Sequence, residues 1–150
     1  MKCLSIQQPW AWAILAGHKR VENRTWSTRH RGPLAIHASM KVSREGYDVL
    51  RSLGIDVPDD LPGGVILGTV ELVDVIDCRQ PLLDFDGEQA KLAADPLATG
   101  PKCWILRNPR PLAQPIRHVG RLGLFDLLLE EPETCPSATS RPTRPPGGLA

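Results

Sequence analysis

The segment that most constrains the fold is Val65–Asp77. It is the longest stretch with the two-residue period of a strand, placing Ile66, Val70, Leu72 and Ile76 on one face. Gly68 falls on that same face, where it lets the strand bend or another backbone approach closely. A sheet that curls into a barrel needs such a bend.

The remaining elements are shorter. Leu4-Ser5-Ile6 reads as a strand running into Pro9, which suits the first turn of a helix; Trp10, Ala13 and Ile14 then share a helical face, and Gly17 stops it. Val21–Trp26 is a polar strand. After a turn at Arg31-Gly32-Pro33, Leu34, Ile36 and Ala38 alternate with Ala35 and His37, so His37 faces away from Ile36. A helix over Ser43–Leu53 is capped by Ser43 and closed at Gly54, and a short acidic helix is expected over Asp86–Ala94. Cys103–Leu106 and Leu122–Leu129 supply the last strands. The sum is an α+β chain, a small β-barrel of five or six strands with two or three flanking helices. Its 150 residues suffice for one core, here residues 1–130. Residues 131–150 hold five prolines and no hydrophobic period, the composition of a disordered tail.

The net charge of +1 hides an uneven distribution. Lys19, Arg20, Arg24, Arg29, Arg31, Lys41 and Arg44 face one acid, Glu22, between positions 18 and 44. The segment from Asp56 to Asp95 is acidic, and from Lys102 to Arg121 all charges are basic again. If the two basic segments meet in space they form an anion-binding face; otherwise each is a solvated surface. No apolar run approaches the roughly 18 residues of a membrane span, and the N-terminus lacks the long apolar core of a signal peptide. The expected setting is the cytoplasm. Cys3, Cys78, Cys103 and Cys135 have no zinc-type spacing and read as free, mostly packed thiols, and the four histidines form no i, i+4 pair around a glutamate. Neither a metal nor a cofactor is expected.

Two ordered motifs carry more. Gln8-Pro9-Trp10-Ala11 is followed by Gly17-His18-Lys19-Arg20-Val21-Glu22-Asn23-Arg24, which has the form G-x-K-x-x-E-x-R. Further matching stretches are Arg31–Ala38, Leu67–Asp74 and Trp104–Pro109. Over roughly residues 4 to 128 the chain resembles the ASCH domain family. The resemblance implies a PUA-like β-barrel with a cleft containing a lysine, a glutamate and an arginine, here Lys19, Glu22 and Arg24. Strict strand alternation places Arg20, Glu22 and Arg24 on one face and Lys19 on the other. Lys19 joins them only if Gly17-His18 turns the chain inward.

A lysine and an arginine beside a glutamate suit a phosphate or a polar base edge, since guanidinium offers a planar fork of donors and ammonium a compact charge. The competing reading is a salt-bridged strand face that stabilises the barrel. Trp26, beside Arg24, is the candidate to stack on a base, whereas Trp10 and Trp104 are assigned to packing. Gln8 either presents its amide to the cleft or caps the turn. His37 and Ser39 are candidate cleft residues, with a satisfied structural role the alternative for His37. Arg31 and Lys41 are candidate phosphate contacts.

The leading function is therefore binding of RNA or a nucleotide in a basic cleft, with DNA a possible partner. The first alternative is a small hydrolase acting on a modified nucleoside or on RNA, with Lys19 and Glu22 catalytic. Some bacterial members of the resembled family act as acetylcytidine amidohydrolases through a threonine where this chain has Glu22, and Thr25 is out of register to replace it. Other members are ribonucleases. The second alternative is a protein-interaction adaptor using the acidic segment. Enzyme status stays open on sequence alone.

Overall fold

The computed structural model describes residues 1–81 and 85–128. In chain order the elements are β1 (Lys2–Gln8), α1 (Trp10–Leu15), β2 (Val21–Arg24), β3 (Gly32–Val42), α2 (Arg44–Ser52), β4 (Val65–Asp77), α3 (Gly87–Ala93), β5 (Lys102–Arg117) and β6 (Leu124–Asp126). The six strands form one mixed sheet in the order β2-β5-β4-β3-β1-β6. Only β1 and β3 run parallel, a pairing made possible by the crossover through α1 and β2. The sheet is barrel-like without closing, since β2 and β6 remain edges.

The core forms where the sheet curls around α1. Ala11, Ile14 and Leu15 of this helix pack with Leu4 and Ile6 of β1, Leu34, Ile36 and Ala38 of β3, Val70 and Leu72 of β4, and Trp104 and Leu106 of β5. Gly68 makes this closeness possible. A Cβ at that position would overlap the Arg110 carbonyl oxygen and Leu15 Cδ1, and it would lie 2.8 Å from Pro111 Cα. The expected alternation of β4 is broken at this glycine, where the ladder to β5 shifts register. Ile66 consequently packs in a second cluster with Cys3, Ala35, Phe125 and Leu127 on the other face of the sheet. Both faces of β3 are thus covered, which is why Leu34 through Ala38 are all buried.

Helix α2 begins as expected, with Ser43 Oγ accepting from the Gly46 amide at 3.1 Å. Its Gly46 has no side chain to hold it off, and the helix closes against Pro9 and the Trp10 ring. β5 is far longer than the four residues expected. Beyond Leu106 it continues through eleven exposed residues, Arg107–Arg117, paired with β4.

The thiol expectation needs correction. Cys78 and Cys103 are joined in a disulfide, with Cα atoms 6.1 Å apart. Pairing of Asp77 with Lys102 at the end of the β4/β5 ladder brings the two residues together, and nothing in their separation of 25 residues announces it. Cys3 is free and buried, its thiol pushed up to about 12 by desolvation. Cys135 and the residues 131–150 expected to form a tail lie outside the described residues, as does Leu129 of the last expected strand. No helix among the described residues is long and apolar enough to cross a membrane.

Candidate functional site

The turn after α1 builds the site. Gly17 adopts φ +83°, a left-handed conformation natural to glycine, and the amides of His18 and Lys19 both donate to the Ala13 carbonyl at 2.9 and 3.0 Å. The chain is thereby folded back so that Lys19, only 4% exposed, points to the same place as Glu22. Its ammonium donates to the Val21 carbonyl at 2.6 Å, lies 3.6 Å from Glu22 Oε2 and sits 5.4 Å from the Trp10 ring centre. β2 then carries Glu22 and, two residues on, Arg24, whose Nε is 3.9 Å from Glu22 Oε1. Arg24 Nη2 donates to the Ser5 carbonyl of β1 at 2.8 Å.

Lys19 and Glu22 are buried and Arg24 is partly so, yet the trio is not satisfied. Among the described residues, Glu22 Oε2 and Arg24 Nε are buried polar atoms without a hydrogen-bond partner. Both side chains line a cleft of about 1260 Å³, together with Lys19, Asn23 and Trp10. The lining also includes Lys41, Arg117 and Arg121, none of which has an ion-pair partner among the described residues. The two basic segments of the sequence therefore do meet, in the lining of this cleft. The lining acids are Glu22 and Glu45.

Of the other sequence candidates, His37, Ser39 and Lys41 line the cleft. His37 is 2% exposed; its Nδ1 is 3.0 Å from Ser5 Oγ and its Nε2 is 2.7 Å from the His118 carbonyl. Burial lowers its pKa, against the opposing effect of the His118 contact. Ser39 Oγ donates to the Lys41 carbonyl at 3.2 Å. Gln8 does not face the cleft. It is buried, accepting from the Trp12 amide at 2.9 Å and donating to the Pro62 carbonyl at 3.0 Å, which is the capping alternative. Arg31 is also elsewhere, held by the Thr28 and His30 carbonyls and Asp74.

Trp104 is core and Trp10 packs against the core, as expected, whereas Trp26 does not take the stacking position. Trp26 packs edge-on against Trp104, with ring centres 4.8 Å apart, and is not among the cleft-lining residues. Trp10 is the indole that reaches the cleft, because the opening of α1 lies at its mouth while Gly46 supports the ring from behind. Arg20 lies before β2 rather than in it, so alternation does not apply; it faces a second cavity of about 260 Å³ and pairs with Glu88 at 3.0 Å. Thr25 is exposed and lies outside the cleft lining.

One residue carries a role that the sequence reading missed. Asn23 Oδ1 accepts from the amides of Thr99 and Gly100, both at 2.9 Å, and its Nδ2 donates to the Leu97 carbonyl at 2.8 Å. It thereby fixes the loop after α3 as one wall of the cleft. Its partners are 74 to 77 residues away, so only its place inside the motif hints at this role. Among the described residues no three His, Cys, Asp or Glu side chains gather as a metal site would require.

Comparison with known proteins bears on the family and the fold. A family model for the ASCH domain matches residues 4–116. The human protein activating signal cointegrator 1 is 43% identical over 118 residues, covering 73% of this chain and 19% of that protein. Its mouse counterpart is 43% identical over 86 residues, 52% of this chain and 15% of the relative. The chain thus spans less than a fifth of the length of these curated relatives. A crystal structure of a mutant ASCH protein from Zymomonas mobilis superposes with a TM-score of 0.51 at 16% identity, covering 85% of this chain and 87% of the other. That likeness concerns the fold.

Proposed function

The chain belongs to the ASCH domain family, and from that premise we propose that its cleft binds RNA or a nucleotide, seating a base edge on Glu22 and Arg24 and phosphates on Lys41, Arg117 and Arg121. The observation that carries this reading is the pair of buried atoms without partners, Glu22 Oε2 and Arg24 Nε. Leaving such a group unpaired costs about 1–3 kcal/mol, more when it is charged. A stable chain tolerates that cost at a site where a ligand relieves it.

The two atoms are complementary to a nucleobase edge. The carboxylate accepts an N–H of the base, and the guanidinium N–H donates to the neighbouring ring nitrogen or carbonyl. Lys19 keeps the buried carboxylate compensated, and Trp10 supplies an aromatic surface for stacking, worth about 1–3 kcal/mol per base. The three lining cations Lys41, Arg117 and Arg121 add attraction for phosphate that is independent of sequence.

The test is fluorescence anisotropy of labelled single-stranded RNA and DNA oligonucleotides, and competition by nucleoside monophosphates, over a salt series. Binding should weaken with salt. Replacing Lys41, Arg117 and Arg121 together by Gln should flatten the salt dependence, whereas Glu22→Gln should weaken binding at every salt concentration without changing the slope. An absence of binding to any of these probes, or binding indifferent to both sets of substitutions, contradicts the reading. RNA cleavage abolished by Lys19→Ala would shift it to a hydrolase.

A further inference from the structure

The same cleft holds a second polar arrangement that nucleotide binding does not use. Ser5 of β1 and His37 of β3 are direct partners in the parallel ladder, so their side chains leave the sheet side by side. Ser5 Oγ is 3.0 Å from His37 Nδ1, and His37 Nε2 is 2.7 Å from the His118 carbonyl oxygen. A carbonyl oxygen only accepts, so Nε2 carries the proton. Burial keeps the ring neutral near pH 7, which leaves Nδ1 as a bare acceptor. The Ser5 hydroxyl is therefore the donor, and the direction of each bond is fixed.

A serine hydroxyl donating to a neutral imidazole nitrogen, with the far nitrogen held by an acceptor, is the relation that activates a serine nucleophile. Here a main-chain carbonyl takes the orienting place that a carboxylate fills in the Ser-His-Asp triad. The surroundings support this relation. Ser5 and His37 both line the cleft, so an ester that enters it meets the hydroxyl and its acceptor together. Gly120 lies directly against the pair. A Cβ there would lie 2.8 Å from Ser5 Oγ and 2.6 Å from His37 Cε1, so any side chain at this position would displace both. The His118 ring, 6.4 Å away between ring centres, and Phe125, at 6.5 Å, complete the surroundings of the imidazole.

We propose that Ser5 is a nucleophile and His37 its general base, giving the cleft an acyl-transfer activity toward carboxylic esters. Ser5 Oγ bonds to the ester carbonyl carbon as its proton passes to His37 Nδ1, and the carbonyl π electrons move to oxygen. When the oxyanion collapses, the bond to the alcohol oxygen breaks and that oxygen takes the proton from Nδ1. Water then adds to the acylated Ser5 with Nδ1 as base. Collapse of this second intermediate returns the proton to Ser5 Oγ and releases the acid. Throughout, Nε2–H stays on the His118 carbonyl. This activity needs neither Glu22 nor Lys19, so it stands or falls separately from the binding of RNA.

The test is covalent labelling of the full chain with a fluorophosphonate, read by intact mass and by mapping the modified peptide, beside hydrolysis of p-nitrophenyl acetate. The expected result is a single adduct on Ser5, lost in Ser5→Ala and slowed about 100-fold in His37→Gln, the usual size of a general-base contribution. The unaltered chain gives an independent reading without a substitution at a buried site. Its labelling rate should fall on acidification with a midpoint below the ordinary histidine value, because only the neutral ring accepts the proton. No adduct, an adduct on a different residue, or Ser5 labelling that is flat from pH 4.5 to pH 8 overturns the proposal.

Discussion

Two glutamates in this chain each lie between two cations, and they could hardly differ more. Glu88 is about half exposed and is met by Arg20 at 3.0 Å and by Arg107 in a short contact. Glu22 is buried between Lys19 at 3.6 Å and Arg24 at 3.9 Å, and one of its oxygens has no hydrogen bond among the described residues. The first group is close-paired and solvated, and such surface networks contribute little. The second is desolvated and loosely paired, so its charges are available to something that enters the cleft. Equal composition thus yields a surface brace in one place and a receptive site in the other, with burial and bond saturation deciding which.

Substitution can break this contrast. The largest effect is expected for Glu22→Ala, which leaves Lys19 and Arg24 without their carboxylate and should cost about 3 kcal/mol of stability in urea unfolding. A loss below about 1 kcal/mol would make Glu22 equivalent to Glu88 and remove the distinction. Next comes Asn23→Ala. It leaves the amides of Thr99 and Gly100 without their acceptor and should cost about 2 kcal/mol while weakening RNA binding through the displaced wall. Trp10→Ala should lower RNA affinity by about 1–3 kcal/mol, with Trp26→Phe leaving it unchanged in the same anisotropy titration. The smallest effect belongs to Glu88→Gln, expected to shift stability by no more than about 1 kcal/mol and to leave RNA affinity as it was.

The strands and the turn that position Glu22 are legible in the sequence, whereas the pairing of Glu88 with Arg20 and Arg107 is not. Val65–Asp77 and Leu34–Ala38 announced themselves through alternation, and Gly68 through its place on an apolar face. The inward turn of Lys19 was readable as a requirement, since strand geometry put it on the wrong side unless Gly17 reversed the chain. The extension of β5 was hidden because Pro109, Pro111 and Pro115 interrupt it and its exposed residues show no apolar face. Alternation does not carry back to Arg20, which precedes both the expected strand and the observed β2. Trp10 and Trp104 do pack as their faces suggest, but helical periodicity does not show that the Trp10 ring also reaches the cleft, nor that Trp26 turns onto Trp104. The Cys78–Cys103 bond, the hold of Asn23 on its loop and the Ser5–His37 contact all depend on partners far along the chain, which strand register brings together and local pattern does not reveal.

The central claim, that Glu22 and Arg24 form a receptive site while the Glu88 group is a brace, can be read directly from the arginine Nε–H signals in a nitrogen–proton NMR spectrum recorded while cytidine monophosphate or a short RNA is added. The Arg24 Nε–H resonance is expected to move as its vacant donor finds an acceptor, with the Arg20 and Arg107 signals staying in place. A ligand that binds while Arg24 remains unmoved, or that shifts Arg20 and Arg107 instead, would contradict it.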